Sequence, residues 1–537
     1  MSKVFVREAT GLVKGISTFS AFAYNVNSQT VAYAVTSYAI ILAFSPGADA
    51  TMSFLLAMVL TIPLMLVYVL FTASMPRSGG EYVFISRTLH PWLGVFASAV
   101  TWWIEILYLG MNTSWIGSVY VSAPLVMMGQ VLGSPTLVAV GSAAASPVWS
   151  FVIASIVIVG IGLTLLFGTS VHFKFQSIMF IVGTVAAIVM ILVLVGATHE
   201  QFVASFNRYA APYMNTTDPY HAVINLASQQ GFTIAPFSFY ATLVGMTAAA
   251  NSLAFGYFST YCSGEMKRAS EVPKQFTAMV GSMFLNGGLS VIIATLLVRV
   301  AGVDFAGASF YLGSVAPQLW TYPVAPFLNI FIAMLTDNPI LNLVIAAGWM
   351  VWGIVTTGIL FLMLSRVLFA WSFDRLIPTW FADVSERFHG PVKATIFITV
   401  LGELFTFIFL QVAPAFTAYL SYAMAFAWWA SAFLLVSIAA IIFPFKLKNV
   451  YAVSVASRYK IGKVPLITIV GIVAAAYVSM LVYFWLSVSS LGVNTPSQLT
   501  LWGGSMLVAA LIYPAIYLVR RKQGIDLRVV FSQVPPE

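Results

Sequence analysis

The chain has 537 residues, of which 60% are hydrophobic and 7% charged, with a mean hydropathy of +0.95 and a formal net charge of +8. A soluble chain carries about a quarter charged residues, so this composition excludes an ordinary water-soluble enzyme and points to a polytopic helical membrane protein. The positive charge does not point to nucleic acid, because the basic residues sit in short loops between apolar spans rather than in one patch. Transmembrane barrels alternate apolar and polar residues over roughly ten-residue segments, a pattern absent here. A single cysteine, Cys262, excludes an internal disulfide and any multi-cysteine metal site, and no cofactor or metal is expected.

The first apolar stretch, Gly11 to Phe44, is longer than a signal-peptide core and follows Lys3, Arg7 and Lys14, so no cleavable leader is expected. Its middle reads Asn25-Val26-Asn27-Ser28-Gln29-Thr30. Counting from Lys14 at about 1.5 Å per residue puts Asn25 roughly 16 Å in, near half of a hydrocarbon core about 30 Å thick. Two readings fit a polar cluster at that depth. Either the helix breaks there and lines a substrate site, or it continues and its Asn and Ser side chains bond to neighbouring helices.

Apolar runs give twelve candidate spans. They are Ser17 to Phe44, Thr51 to Met75, Trp92 to Val126, Trp149 to Phe167, Gln176 to Val195, Phe237 to Tyr261, Phe276 to Leu297, Leu341 to Met363, Ala394 to Val412, Ala415 to Phe443, Pro465 to Val488 and Leu501 to Val519. With the N-terminus in the cytoplasm, every Lys and Arg except Arg208 and Arg299 falls on the inner side, which supports both the orientation and the span count. Both termini are then cytoplasmic. Two long connectors, Gly196 to Pro236 and Ala301 to Pro339, are expected to carry short packed helices; His199 and His221 on the first read as solvated loop residues.

The sixth span mirrors the first. It holds Asn251-Ser252 and the run Ala254-Phe255-Gly256-Tyr257-Phe258, and counting back from Glu265 places Ala254 roughly 16 Å from the inner edge, the same depth as Asn25. Two interrupted spans five apart, running in opposite directions and meeting at one level, are what a five-plus-five inverted repeat predicts. Glu105 lies roughly 20 Å along the third span, level with both breaks, and an ionisable group at that depth marks a functional site by default. It suits a proton carrier or a partner for a substrate ammonium. Glu403, in the ninth span, reads as a packing or oligomer contact.

Several stretches resemble one family, the amino acid-polyamine-organocation permeases. Pro76-Arg77-Ser78-Gly79-Gly80-Glu81-Tyr82 resembles its Pro-x-Ser-Gly-Gly-x-Tyr connector, Gly264-Glu265-Met266-Lys267 its Glu-x-Lys pattern, and Ser365-Arg366 with Asp374-Arg375-Leu376-Ile377-Pro378 its two motifs after helix eight. The resemblance implies an all-α membrane protein with the leucine-transporter-like fold: twelve transmembrane helices, a 5+5 inverted repeat plus two C-terminal helices, and helices 1 and 6 interrupted around the substrate. The corresponding divisions are a cytoplasmic N-terminus (1–16), repeats at 17–196 and 237–443 separated by an extracellular loop (197–236), a cytoplasmic loop (444–464), the last two helices (465–519) and a tail (520–537).

On that resemblance the substrate site comprises Asn25, Val26, Asn27, Ser28, Ala254, Phe255, Gly256, Tyr257 and Phe258, to which the depth of Glu105 in the third span adds that residue. The paired hydroxyls of Thr356 and Thr357 mark a candidate cation site. The chain departs from the family where many members place Gly-Ser-Gly, here Asn25-Val26-Asn27; the fifth span also lacks an internal lysine and the sixth an acid in its middle. The implied function is secondary active transport of amino acids across the plasma membrane by alternating access, with protons or sodium as candidate coupling ions, or exchange. The alternative substrate is a polyamine or organic amine. An ion channel is disfavoured by the absence of a filter-like loop. An enzyme is disfavoured because no Gly-x-Ser-x-Gly, His-Glu-x-x-His or phosphate-binding loop is present. The expected partners are a small-molecule substrate and the bilayer.

Overall fold

The computed structural model describes residues 12–388, 390–414 and 424–531. Helices α1 (Thr18–Gln29) and α2 (Val31–Phe44) share the first apolar stretch. They are followed by α3 (Ala50–Ser74), the connector helix α4 (Glu81–Thr88), α5 (Pro91–Val131), α6 (Pro147–Leu166) and α7 (Thr169–Gly196). The chain continues through α8 (Phe239–Leu253), α9 (Val272–Ala301), α10 (Pro339–Phe373), α11 (Val392–Val412), α12 (Met424–Lys446), α13 (Leu466–Ser487) and α14 (Pro496–Lys522). Ten of these, all but α1, α2, α4 and α8, are long and apolar enough to cross a bilayer. Of the expected span Ala415 to Phe443, residues 415–423 lie outside the described residues. The only strand pairing among the described residues is the small hairpin Lys460–Ile461 with Val464–Pro465.

Local chemistry starts these helices where the sequence changes character. Ser17, Asp49 and Thr495 each accept a hydrogen bond from an otherwise unpaired first-turn N–H, and Pro147, Pro339 and Pro496 occupy the first helical position, where no donor is needed. The outer faces of α6, α7 and α14 present Ile156, Ile178, Leu192, Leu507 and Leu511 to the surroundings. Such faces would be a liability in water and are what hydrocarbon requires.

The first and sixth apolar segments lie antiparallel in the interior. Ile16 N–H donates to the Glu265 carbonyl (3.0 Å) and Lys267 N–H to the Ile16 carbonyl (2.9 Å), so the start of α1 lies beside the end of the sixth segment. At the other end Ser238 N–H donates to the Gly47 carbonyl (2.8 Å), joining the end of α2 to the start of α8. The long connectors form helices His199–Met214, Pro219–Gln229 and Val303–Val315, packed through Tyr220 stacked on Phe305 at 4.8 Å. His221 is exposed and pairs with Asp218, whereas His199 is tied to the Val300 carbonyl.

Candidate functional site

The first segment breaks at Thr30, beyond the expected Asn25-Val26-Asn27. α1 runs through Gln29, and Thr30 takes φ 40° and ψ 137°, leaving the helical region for one residue before α2 begins. Thr30 N–H still closes the last turn of α1 on the Val26 carbonyl, and its hydroxyl caps α2 by accepting from Tyr33 N–H. Neither half spans the bilayer alone, having 12 and 14 residues. The sixth segment breaks at the same place in space: α8 ends at Leu253, residues 254–257 form a turn, and a 3-10 helix follows over Phe258–Glu265.

The polar side chains before Thr30 bind the interruption together. Asn25 Oδ1 accepts from Ser259 N–H (2.8 Å), while its Nδ2 donates to Ser259 Oγ (3.0 Å) and to the Ala278 carbonyl (2.8 Å) in a π-type turn of α9. Ser28 Oγ is within hydrogen-bond distance of the Phe255 and Asn25 carbonyls, both at 2.7 Å. Asn27 Nδ2 lies 2.8 Å from both the backbone and side-chain oxygens of Gln176 on α7, and Gln176 Nε2 donates in turn to the Val355 carbonyl on α10. Val26 packs against Ala23 and Phe180. These residues are therefore satisfied by neighbouring helices, and a break exists beside them as well.

Gln29 is different. It is 1% exposed, yet both its amide nitrogen and its amide oxygen are buried without a partner. An unmade bond of that kind costs about 1–3 kcal/mol per group, so both amide atoms have bonding capacity left for a water or a ligand. Gly256 faces it: a Cβ at that position would collide with Gln29 Nε2 and come within 3.1 Å of Ser282 Oγ. One turn beyond Ser282 on α9, Asn286 is likewise buried with both amide atoms unpartnered. An aromatic wall adjoins the turn. Phe258 stacks on Trp428 (6.2 Å), Phe255 meets Trp428 edge-on (5.6 Å), and Tyr257 lies against Tyr68 (3.9 Å) while accepting from Trp428 Nε1 (3.2 Å). Ala254 continues α8 by donating its N–H to the Ala250 carbonyl.

The structure thus brings Asn25, Ser28 and Phe255 together, with Gly256 beside Gln29, and ties Asn27 to α7. Gln29, Gln176, Asn286, Tyr68 and Trp428 were not singled out by sequence. Only Gln29 carried a signal there, its place in the polar cluster. Glu105 is buried at 4% exposure with Oε2 unpartnered, and interacts electrostatically with Tyr24 on α1 and with Glu81. Thr356 donates to the Trp352 carbonyl, and Thr357 to that of Gly353 while accepting from Asn112, so both hydroxyls are engaged on or near their own helix. Glu403 accepts from Ser155 (2.7 Å) at the α6–α11 contact, which fits its expected packing role. Cavities of about 400 and 370 Å³ lie around Val189 and Leu341 and around Asp49 and Phe237; neither includes the break residues, which are closed over by packed side chains.

The end of the molecule below the breaks, where α1 begins, is held by buried ion pairs; we call it the basic end. Arg366 on α10 makes two bonds to Glu265 (2.6 and 3.0 Å) and one to Thr169 (2.7 Å). Arg87 pairs with Asp374 at 2.8 Å, and Tyr82 donates to the same carboxylate at 2.6 Å. The Ser-Gly-Gly connector cradles Tyr261. Gly79 N–H donates to the Tyr261 carbonyl (3.1 Å), and Gly80, at φ 59°, would put a Cβ 2.7 Å from its ring. Only glycine accepts both the conformation and the approach.

Buried interrupted segments inside a bundle of long apolar helices are an arrangement that secondary transporters use. The chain belongs to the amino acid permease family: residues 16–511 match the profile described as amino acid permease, a family of the amino acid-polyamine-organocation superfamily. A search among curated proteins found no match.

Proposed function

We propose that this protein is a secondary active transporter that carries an amino acid across the plasma membrane by alternating access, with the substrate held where the first and sixth segments break. The observation that carries this reading is the unpartnered Gln29 amide facing the side-chain-free surface of Gly256, between two interrupted helices. In this reading Gln29, with the first N–H groups of α2, takes the substrate carboxylate, since a helix N-terminus favours an anion. The aromatic wall of Phe255, Phe258 and Trp428 encloses the rest of the substrate. Repeats at 17–196 and 237–443 form a leucine-transporter-like inverted pair of five crossings each, followed by two more to make twelve. The basic end faces the cytoplasm, as the distribution of Lys and Arg favours.

A second reading, an organic amine as substrate, draws on the same aromatic wall, which offers a cation–π surface, and on the buried carboxyl of Glu105 in α5. Proteoliposomes containing the purified protein separate these readings. Saturable uptake and exchange of a labelled amino acid is the expected result, competition by amines alone selects the second reading, and a non-saturating conductance without exchange overturns both. Protons are the proposed coupling ion, carried on Glu105. Glu105→Gln is then expected to lose uptake driven by a pH gradient while retaining exchange, and unchanged pH-driven uptake removes Glu105 from the mechanism.

A further inference from the structure

Glu81, at the open position of the Ser-Gly-Gly-x-Tyr connector, is a carboxylate that is wholly buried. It is 0% exposed, Tyr261 Oη donates to its Oε1 at 2.6 Å, and its Oε2 has no partner. The groups that face it are Tyr261 and Tyr257 from the sixth segment, Tyr68 from α3, and Thr101 and Glu105 from α5. Among the described residues these are hydroxyls and a second carboxyl, with no cation. Of the charges on its own connector, Arg87 pairs with Asp374 and Arg77 donates to the Pro76 carbonyl, and Lys446 of α12 is bonded to the Leu89 carbonyl. A negative charge enclosed this way is solvated only by the Tyr261 and Thr101 hydroxyls and its own backbone N–H, and burying a charge without a cation is costly. The neutral carboxylic acid is the form that the closed structure favours.

The location connects this group to motion. Tyr261 lies in the 3-10 stretch Phe258–Glu265, which is joined to the connector by the Gly79 and Ser263 hydrogen bonds and by the fit of its ring over Gly80. That stretch cannot swing away without leaving Glu81 open to water. We propose that Glu81 is a proton-binding site that latches the basic end of the transporter shut, bound protonated when the Phe258–Glu265 stretch is seated and ionised when it has moved away. The inference rests on the alternating-access reading. It differs from coupling at Glu105 because the proton on Glu81 controls access rather than crossing with the substrate.

The direction follows from linkage. Burial pushes the Glu81 carboxyl up to about 7, against the opposing pull of the Tyr261 hydrogen bond. Once hydrated it returns towards the ordinary carboxylate value of about 4.3. The closed form therefore binds the proton more tightly. As pH falls through 7 towards the ordinary value, closure is favoured by up to tenfold per pH unit, a few hundredfold in all, and above 7 the balance no longer changes. Acidification at the basic end slows release and loading there.

Cys262, adjacent to Tyr261 and fully buried, reports the opening. The rate of its labelling by N-ethylmaleimide is measured between pH 5 and 8.5 on wild-type protein and on Glu81→Gln, which mimics the protonated form. Taking the ratio of the two rates cancels the pH dependence of the thiol reaction itself. The expected ratio rises more than tenfold from pH 5 to 7.5 and is flat above that. A ratio constant with pH, including no labelling of either protein, overturns the proposal; a merely structural Glu81 gives that constant ratio. If Glu81→Gln does not fold, Tyr261→Phe serves: losing the donor that favours the ionised form moves the rise to higher pH, and an unmoved profile overturns the latch. Labelling needs no substrate, so a protein that transports no amino acid or amine yet shows the pH-dependent ratio discards the functional reading and keeps the proton site.

Discussion

The level of the breaks and the basic end solve the same problem with opposite chemistry. Around Thr30 the helices are joined by neutral amides and hydroxyls, namely Asn25, Asn27, Ser28, Gln176 and Ser259. At the basic end they are joined by Arg366–Glu265 and Arg87–Asp374, ion pairs whose side chains are at most 3% exposed. A neutral link left unmade in the interior costs about 1–3 kcal/mol per group, less than an orphaned buried charge, so in the proposed reading the level of the breaks is the easier of the two to rearrange around a substrate. A buried ion pair is expensive to separate unless water arrives as it opens, which makes it a closure that is either made or fully hydrated. The difference is what the proposed reading requires, with substrate held at one level and access controlled at the other.

The sharpest way to break this comparison is to remove one charge. Arg366→Met leaves Glu265 buried and unpaired, and the expected loss is about 3–5 kcal/mol of stability, read as a large drop in unfolding temperature of the purified protein. The double variant with Glu265→Met is expected to recover much of that loss, because no orphan charge remains. Equal losses in the single and double variants would show that the pair contributes through packing and not as a charged closure.

Next in size is the binding level. Gly256→Leu drives a side chain into the Gln29 amide, which must turn away, and is expected to bring substrate uptake to background while the protein still inserts. Wild-type uptake would move the substrate away from the break.

The membrane class, the ten long helices and the two interrupted segments were legible because each is written locally, in apolar run length, in flanking charge and in the polar residues 25–30 and 251–258. The break itself was misplaced by a few residues. Asn25 and Asn27 look like breakers when only their own helix is in view, but Ser259, Ala278 and Gln176 supply their hydrogen bonds from distant parts of the chain, and the helix continues. For the same reason Gln29 could not be distinguished from its neighbours. Its role depends on having no partner, and that is settled by which faces of α9 and the sixth segment meet it.

Gln29→Ala tests that distinction with a smaller effect. If its amide takes the substrate carboxylate, affinity is expected to weaken by about 1.5–3 kcal/mol, roughly tenfold to a hundredfold, with unfolding temperature unchanged or raised because a buried unsatisfied amide has gone. Lower stability with unchanged affinity would place Gln29 among the structural links instead.

The smallest effect separates links from ligands most cleanly. Asn27 and Gln176 bond to each other, and Gln176 carries the connection on to Val355, so a double-mutant cycle of Asn27→Ala and Gln176→Ala isolates what the pair contributes. A neutral hydrogen bond of this kind is worth about 1 kcal/mol, and that coupling is expected in the unfolding of the substrate-free protein. Substrate affinity is expected to show little coupling, since the pair is already satisfied without substrate. Coupling confined to affinity would instead mean that these amides turn to the substrate when it binds, and the neutral groups at the level of the breaks would then be ligands as well as links.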